Sequence, residues 1–444
     1  MPAQPPKPRV NPCASVAQVR ADAQRSGQSV ACDVVVVGGG AAGVAAAVAA
    51  GRAGARVVLL ERYGFLGGLA TASQVGTVCG LYLRDTLHPE PRLAAGGFVR
   101  EFASRLLCQT GMEPLRLHSG LWALPFRVTV FGHLVDAFLK ECANVTVALH
   151  TTVAGVETEG SRVVEVRALA WNQPLLVRLA AVVDCTGEAT AAFLAGAAVE
   201  EALADQAPAL VFSLEPVDAS LTEYGFMELR RALREAVETG RLPRACERLS
   251  VMPSTGREPR LDLKLNLPTD NLRRPDWRQV TCWEREARDL VVELHRFVVQ
   301  HVAGCRGARL AAVAPQLGLR SGRRVEGRAK LTDEDSLGCR KHAQGVARGC
   351  WPMERWGDKP RPEMTFFDER DYYEVPLDCL RPASLDNLFV AGRCFSAAAG
   401  AMSSARVIGT ALATGWAAGA AAAFQALGRP LDQAVQMIRQ QWNQ

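Results

Sequence analysis

The segment from 32 to 62 constrains this chain most strongly, because it brings several individually common features into one order. A valine-rich run at 33–37 is followed by the glycine motif GGGAAG at 38–43, an alanine-rich stretch, and a second apolar run, Val57–Leu60, that ends at Glu61. Short apolar runs of this kind are typical of strands buried on both faces of a parallel sheet. Strand, glycine turn, helix, strand and acidic residue together predict a dinucleotide-binding βαβ unit, whereas an isolated glycine triplet indicates only a tight turn.

The three motif glycines have different physical tasks. Gly38 permits a tight turn, Gly40 lets the backbone approach a pyrophosphate, and Gly43 lets the helix pack closely on the strands. The free N–H groups and the positive dipole end of the helix then favour the phosphates. Glu61 follows at about 20 residues, where an acid accepts hydrogen bonds from a ribose hydroxyl, and this favours FAD or NAD over NADP.

Composition narrows the class of protein. The chain has 444 residues, of which 48% are hydrophobic, enough for a large core in one large domain or two to three modest ones. A net charge of +5, with no basic run interleaved with aromatics, predicts no nucleic-acid partner. The 13 cysteines are scattered without a CxxC pair, which predicts reduced thiols in a cytoplasmic protein and no metal site. The proline-rich residues 1–12 do not have the apolar core of a secretory signal.

One uncharged stretch, 407–427, is long enough to resemble a membrane span. Alanine and glycine dominate it, and single arginines, Arg406 and Arg429, stand on its two sides. A helix buried against the sheet and the cofactor therefore fits better than a membrane span.

Two later segments repeat the pattern of a buried strand that ends in a glycine turn. The run at 179–184 leads into Cys185-Thr186-Gly187, and the run at 387–390 leads into Ala391-Gly392-Arg393. The carboxyl ends of strands are where open α/β sheets bind ligands, so we expect both turns at the dinucleotide site.

The chain divides into four parts by composition. We expect a tail at 1–30, a first part of the dinucleotide-binding domain at 31–200, a substrate or cap domain at 201–310, and a second part of the binding domain with a C-terminal helix at 311–444. The third part is rich in Arg and Pro, and its apolar runs are short. Periodicity predicts further elements. They are helices at 96–108, 132–142, 222–239 and 277–301, and strands at 145–149, 152–157 and 162–168; no element is predicted at 335–380.

Three motifs now stand together: GGGAAG with Glu61, VVDCTG at 182–187, and NLFVAGRCFS followed by SSARVIGTALATGWAAG within 387–419. Together they resemble the FAD-dependent oxidoreductases of the glutathione-reductase-like superfamily. Within it, GGLAT at 67–71 and LGLRSGRRVEGRAKLTDED at 317–335 resemble the branch related to the flavoprotein subunit of heterodisulfide reductase. The resemblance is weak over 200–310. It implies an α/β fold, a Rossmann-like FAD-binding domain with a smaller, interleaved substrate or cap domain.

The resemblance also implies cofactor contacts. They are Gly38, Gly40 and Gly43 at the pyrophosphate, Glu61 at the adenosine ribose with Arg62 beside it, Gly67, Gly68 and Thr71 along the pyrophosphate and flavin, Val153 at the adenine, Thr186 and Gly187 over the dinucleotide, and Gly392, Arg393 and Arg406 near the ribityl chain, phosphate or flavin. Arg393 is a departure, since many relatives carry Asp after this glycine to contact the ribityl chain. The cysteines are far apart in sequence, so no iron–sulfur cluster is expected.

Candidates for the chemistry on the substrate side are fewer. Cys79 follows the glycine loop and is a candidate to face the flavin, with a buried structural thiol as the alternative. Arg320 and Arg324 are candidates to bind a carboxylate or phosphate, with a salt-bridged strand edge as the alternative. We name these three residues as the candidate catalytic groups.

The expected function is that of an FAD-dependent oxidoreductase that takes a hydride from a small organic substrate onto the flavin. Two alternatives stay open: a flavin monooxygenase, and a flavin-bound electron-transfer or partner subunit without its own substrate. An NAD-only dehydrogenase is disfavoured by the resemblance of the late AGR and SSAR motifs to flavin sites. The substrate, the electron acceptor, the flavin linkage and the oligomeric state stay open.

Overall fold

The computed structural model describes residues 28–201, 206–218, 226–252, 259–268, 275–357 and 359–442. The strands of the first half are β1 Ser29–Ala31, β2 Val34–Val37, β3 Val57–Leu60, β4 Thr77–Cys79, β5 Leu115–Arg116, β6 Trp122–Pro125, β7 Val145–Ala148, β8 Thr151–Glu159, β9 Arg162–Ala170, β10 Gln173–Arg178 and β11 Ala181–Asp184. Those that follow are β12 Val199–Glu200, β13 Ala209–Glu215, β14 Leu249–Val251, β15 Leu261–Asn266, β16 Arg309–Val313, β17 Arg324–Val325, β18 Gly345–Gly349, β19 Met353–Arg355, β20 Glu363–Thr365, β21 Tyr373–Pro376 and β22 Leu388–Val390.

The described helices are spread along the whole chain. They are α1 Ala41–Arg52, α2 Leu69–Ala72, α3 Gly97–Thr110, α4 Val128–Lys140, α5 Thr190–Leu194, α6 Phe226–Glu238, α7 Trp277–His301, α8 Asp333–Leu337, α9 Ala399–Ala405, α10 Ile408–Ala426 and α11 Leu431–Gln441. Single 3₁₀ turns lie at His118–Gly120, Arg244–Arg248, Ala303–Cys305, Leu377–Leu380 and Gly392–Cys394.

A five-stranded parallel sheet forms the centre, in the order β22-β11-β2-β3-β7. Its strand β2 is four consecutive valines, all buried, as expected for a strand covered on both faces. This confirms the α/β, Rossmann-like architecture. The sheet brings the carboxyl ends of β2, β11 and β22 side by side, although β22 begins more than 200 residues after β11 ends.

Helices α1 and α10 lie against each other at unusually short range. A Cβ on Gly415 would lie 2.1 Å from the carbonyl oxygen of Ala42, and one on Gly419 would lie 2.1 Å from that of Ala46. All of α1 except its last residue is buried, so small side chains are required on both helices. The stretch 407–427 is thus a buried helix, as predicted. By length and apolar composition, no single described helix could cross a membrane; α9 and α10 pass only as a pair, with a 96° bend between them.

A separate, four-stranded sheet lies mostly within the part predicted as the cap, and its strand β16 continues past residue 310 to Val313. Its order is β14-β15-β13-β16, all antiparallel, and α6 and α7 cover it. Leu261, Leu263 and Leu265 of β15 belong to a hydrophobic cluster separate from that of the parallel sheet. Because side chains alternate along a strand, Lys264 and its two polar neighbours on β15 point the other way.

Most predicted elements are observed within one to three residues of their expected ends, and α7 matches its predicted bounds of 277–301. Two predictions fall partly outside the described residues: the tail at 1–30 and the start of the helix at 222–239. The segment 335–380, left without a prediction, contains the end of α8 and the strands β18–β21. These strands have three to five residues and pair with one another in two-stranded sheets, so they carry little periodic signal.

Candidate cofactor and substrate site

The first glycine turn forms one wall of a cleft at the carboxyl end of the sheet. Gly38 follows β2 with φ of +97°, and a Cβ there would lie 2.7 Å from the carbonyl oxygen of Cys185. A Cβ on Gly43 would lie 1.7 Å from the carbonyl oxygen of Gly38, so the turn closes onto α1 only with glycine at 43. Gly40 precedes α1, and the nearest atom to a Cβ there is 3.8 Å away, so the first N–H groups of α1 border open space.

Glu61 is held in place by backbone donors. It is only 4% exposed, the N–H of Gly39 donates to its Oε2 at 2.6 Å, and the N–H of Tyr63 donates to its Oε1 at 2.8 Å. A carboxylate has about four acceptor sites, so Glu61 keeps capacity for ribose hydroxyls.

The second glycine loop packs on the first. The N–H of Gly67 donates to the carbonyl oxygen of Gly39 at 2.8 Å, and a Cβ on Gly68 would lie 2.9 Å from Cα of Gly40. The hydroxyl of Thr71 donates to the carbonyl oxygens of Leu66 and Gly68, so this side chain stabilises the loop.

The turn after β11 is organised by Asp184, whose side chain is fully buried. Its carboxylate accepts hydrogen bonds from the N–H and hydroxyl of Thr186, at 3.0 and 2.7 Å, and from the N–H of Ala192 at 3.0 Å. Burial raises the pKa of Asp184, although these donors act in the opposite direction. The result is a fixed turn that presents Thr186 and Gly187 to the cleft.

Arg393 joins this turn to a neighbouring loop. It follows Gly392, whose φ is +70°, and its guanidinium donates to the carbonyl oxygen of Leu319. A Cβ on Gly187 would lie 2.4 Å from that guanidinium. Burial lowers the pKa of Arg393, and Glu188 opposes the shift.

The structure brings most of the predicted cofactor residues to one cleft. Its lining includes Gly38, Gly40, Glu61, Arg62, Gly67, Gly68, Val153, Thr186, Gly187, Gly392, Arg393 and Arg406. Gly43 and Thr71 lie behind this lining and support it. The N-terminus of α1 beside the open glycine turn is suited to a pyrophosphate, and the fixed carboxylate of Glu61 at the end of β3 is suited to a ribose. This is the arrangement that a dinucleotide requires.

A second cavity, with a volume of about 510 Å³, opens from this cleft. Arg62, Thr186 and Arg393 line both spaces. Trp283 of α7 and the candidate Arg320 line the cavity but not the cleft. The cavity thus lies between the parallel-sheet part and the part predicted as the cap.

A buried charge cluster lies where the cleft and the cavity meet. Nη2 of Arg406 lies 2.5 Å from Oε2 of Glu354 and 3.1 Å from Oε1 of Gln206. Arg320 donates to the carbonyl oxygen of Ala207 and, at 2.8 Å, to Oδ1 of Asn266. All the acceptors of Arg320 are neutral, so its charge has no ion pair among the described residues.

The pKa shifts in this cluster follow from burial and from the charges around it. Burial, with Arg406 acting in the same direction, lowers the pKa of Arg320 to about 9. Burial and Arg320 lower the pKa of Lys264 to about 8. For Glu354 burial acts upward, but Arg406, the Trp351 N–H, Arg320 and Lys264 together hold its pKa below the usual range.

The other two candidate catalytic residues lie outside the lining of the cleft and the cavity, although Cys79 is close enough to the cluster for Glu354, Lys264 and Arg406 to act on its pKa. Cys79 ends β4 beside an apolar cluster that includes Trp351 and Val407, and burial raises the pKa of its thiol to about 12. Arg324 lies on β17, 3.5 Å from a carboxylate oxygen of Glu200. Neither belongs to the described lining of the cleft or the cavity, whereas Arg320 does.

Sequence reasoning missed several members of the cluster, namely Gln206, Lys264, Asn266 and Glu354. A signal for two of them existed in LDLKLN at 261–266, where polar residues alternate with leucine. Glu354 lies in the segment without a prediction, and no local pattern marks it.

Comparison with known proteins now identifies the cofactor. A family model described as FAD dependent oxidoreductase matches residues 33–439. No curated protein matches the chain. The cofactor is therefore FAD, and the cleft described above has the donors to hold it.

Several solved structures are similar to this chain at low identity. The flavin-dependent brominase Bmp2 is 14% identical, with 93% of this chain and 83% of that chain covered and a TM-score of 0.51. A geranylgeranyl bacteriochlorophyll reductase-like protein from Thermoplasma acidophilum is 12% identical, with 93% and 84% covered and a TM-score of 0.43. OxyS anhydrotetracycline hydroxylase from Streptomyces rimosus is 14% identical, with 92% and 65% covered and a TM-score of 0.45.

Proposed function

Because the chain belongs to the family of FAD-dependent oxidoreductases, we propose that it takes a hydride from a small organic substrate onto the flavin. One observation carries this proposal: the cofactor cleft opens into a second cavity through shared lining residues. When bound, FAD supplies the ring that accepts the two electrons of the hydride. The substrate also releases a proton, and oxygen or another acceptor takes up the electrons afterwards.

The protein's own part in this reaction is binding and orientation. In this proposal, Gly40 and the N-terminus of α1 hold the pyrophosphate, and Glu61 accepts from the ribose hydroxyls. Residues 201–310 act as a cap that covers the cavity and selects the substrate. Buried Trp283 supports this role, because it brings an apolar wall from the cap to the cavity.

A finer placement within the superfamily belongs to the proposal as well. The motifs at 67–71 and 317–335 support a relation to the heterodisulfide reductase flavoprotein branch. The loop at 316–322 reaches the cavity through Arg320, so this branch-like motif lies at the substrate side.

The first experiment is the visible absorption spectrum of the purified protein, before and after acid precipitation. We expect flavin bands that pass into the supernatant, as for a noncovalent flavin. A protein without flavin bands, even after reconstitution with FAD, contradicts the proposal.

The second step mixes the holoprotein, without oxygen, with a panel of small alcohols, amines and hydroxy acids. A substrate that bleaches the flavin band under these conditions supports hydride transfer. Oxygen consumption with a hydroxylated product, and no anaerobic bleaching by the same compound, supports a monooxygenase instead.

A further inference from the structure

The charge cluster at the cavity draws its members from four separate parts of the chain. Lys264 comes from β15, Arg320 from the loop after β16, Glu354 from β19, and Arg406 from the break between α9 and α10. Nη2 of Arg406 lies 2.5 Å from Oε2 of Glu354. Arg320 donates to Asn266, which lies on the same face of β15 as Lys264, and these charges act on one another's pKa values. The fold thus collects three cations around one carboxylate at the edge of the cofactor cleft.

The carboxylates that line the cavity interact with other cations. Glu284 forms a 2.8 Å ion pair with Arg288, and Glu188 acts on Arg393. In the described part of the molecule, Lys264, Arg320 and Arg406 therefore share Glu354 alone, which leaves an excess of about two positive charges at pH 7. Burying such an excess is costly unless an anion compensates it.

Hydrogen-bond donors in the cluster are also incompletely used. The ammonium of Lys264 forms neither a hydrogen bond nor an ion pair with the residues described. Nε of Arg406 and Nε1 of Trp356 are buried without an acceptor, and the Arg320 guanidinium stacks on Trp356 with its centre 5.0 Å from the ring centroid. Unused donors beside the cavity favour an anion within it, and of these cluster members it is Arg320 that lines the cavity.

The cavity wall indicates the rest of the ligand. Pro208, Val280, Trp283 and Leu319 contribute apolar side chains to the same lining that contains Arg320. An arginine fork binds a carboxylate bidentately, and apolar walls favour an apolar body.

We infer that the substrate is a small carboxylic acid with an apolar body, whose carboxylate binds to the cluster of Lys264, Arg320 and Arg406. Arg320 makes the contact from the cavity wall, while Lys264 and Arg406 raise the positive potential behind it. Since Arg406 also lines the cofactor cleft, the carboxylate lies at the junction, and the apolar body of the acid lies along the apolar wall of the cavity. The identification of the bound acid as the substrate rests on the proposed function, whereas the anion site itself does not.

The test measures binding rather than turnover. Phenylacetate is titrated into the holoprotein and followed by the change in the visible flavin spectrum, with phenylacetamide as the uncharged analogue and inorganic phosphate as the second anion. We expect saturable binding of phenylacetate that is tighter than that of phenylacetamide by about tenfold or more, because a buried charge contact is removed in the amide.

Three variants localise the site. Arg320→Gln is expected to weaken phenylacetate binding by about tenfold or more, and Arg320→Lys to retain part of it. Arg348→Gln is the matched control, because Arg348 is also half-buried, donates to a carbonyl oxygen and stacks on aromatic rings, but lies outside the lining of the cleft and cavity. Circular dichroism verifies that each variant is folded.

Several outcomes contradict the inference. They are equal binding of the acid and the amide, an Arg320→Gln protein that binds like the wild type, and binding of phosphate that phenylacetate does not displace. If the protein lacks flavin, the proposed function fails, and the same titration followed by tryptophan fluorescence still tests the anion site.

Discussion

The cofactor cleft and the cavity beside it share a wall, yet they are built by different means. The cleft is made of backbone: glycines at turns, the N-terminus of α1, and carboxylates held by N–H donors. The cavity is lined largely by side chains, among them Tyr63, Trp283 and Arg320, and the charge cluster beside it draws on four distant parts of the chain. In the proposed function, the cofactor thus meets a surface fixed by local chain geometry, while the substrate meets residues that can change without breaking a turn.

The largest expected effect is a loss of FAD binding when the backbone of the cofactor cleft is disturbed. In Gly43→Ala the new Cβ would lie 1.7 Å from the carbonyl oxygen of Gly38, so the phosphate turn must shift. We expect the FAD content of the purified protein to fall by about tenfold or more, since overpacking of this kind costs about 1–3 kcal/mol.

The control for this variant is Gly357→Ala. Nothing lies within 4 Å of a Cβ at that position, so its FAD content is expected to equal that of the wild type. A Gly43→Ala protein with full FAD content shows that the cradle tolerates a side chain, and the role assigned to the backbone is then wrong.

The second effect tests the side-chain region. Glu354→Gln removes the carboxylate that three cations share, and breaking a buried pair of this kind costs about 3–5 kcal/mol in the free energy of unfolding. Urea unfolding measures the loss. Phenylacetate is expected to restore more stability to this variant than to the wild type, because it supplies a replacement negative charge.

Glu363→Gln serves as the control, since its exposed pair with Lys359 is open to solvent and screened. Little change in stability is expected there. A Glu354→Gln protein as stable as the control contradicts an ionised, compensating Glu354.

A smaller effect is the pH dependence of anion binding. Lys264, with its pKa lowered to about 8, is charged below that pH and neutral above it. Arg320, with a pKa of about 9, Glu354, with a pKa below the usual range, and Cys79, with a pKa of about 12, keep their protonation states from pH 6.5 to 8. Phenylacetate stays ionised over this range, so its binding is expected to weaken as pH rises through about 8.

Lys264→Met sharpens this test. The variant should bind phenylacetate more weakly at pH 7, by about threefold to tenfold, and should lose the step near pH 8. A step of unchanged size in the variant assigns the titration to another group.

The smallest effect concerns Cys79. Its thiol is neutral at pH 7 because burial raises its pKa to about 12, and a neutral thiol is a poor nucleophile. Cys79→Ala is therefore expected to leave FAD content and phenylacetate affinity within about twofold of the wild type. Rapid labelling of Cys79 by iodoacetamide in the native protein contradicts this interpretation.

The two regions also differ in how far the sequence predicts them. The turn at Gly38 and Gly43 and the acid at Glu61 lie within one βαβ unit, so their spacing in sequence fixes their spacing in the cleft. Val34–Val37 and α7 are equally easy to predict from the sequence, because a strand buried on both faces requires a continuous apolar run and a long amphipathic helix imposes a helical period.

No periodic sequence pattern predicts the charge cluster of Lys264, Arg320, Glu354 and Arg406. Glu354 and Arg320 lie near each other only because β19 and the loop after β16 converge in the folded chain. No local sequence pattern in either segment predicts this proximity. Arg393 shows the same limit: the sequence marks it as a departure, but only the structure shows that its guanidinium donates to Leu319 and packs beside Gly187.

The close packing of α1 on α10 has a consequence for the order of folding during synthesis. The ribosome releases α1 long before Gly415 and Gly419 emerge, so the nascent chain has no partner helix for Ala42 and Ala46 over most of translation. The strand β22, which completes the sheet beside β11, is also made late. The cleft is therefore finished in one late step, and nascent chains truncated before 408 are expected to expose the alanine face of α1 to chaperones.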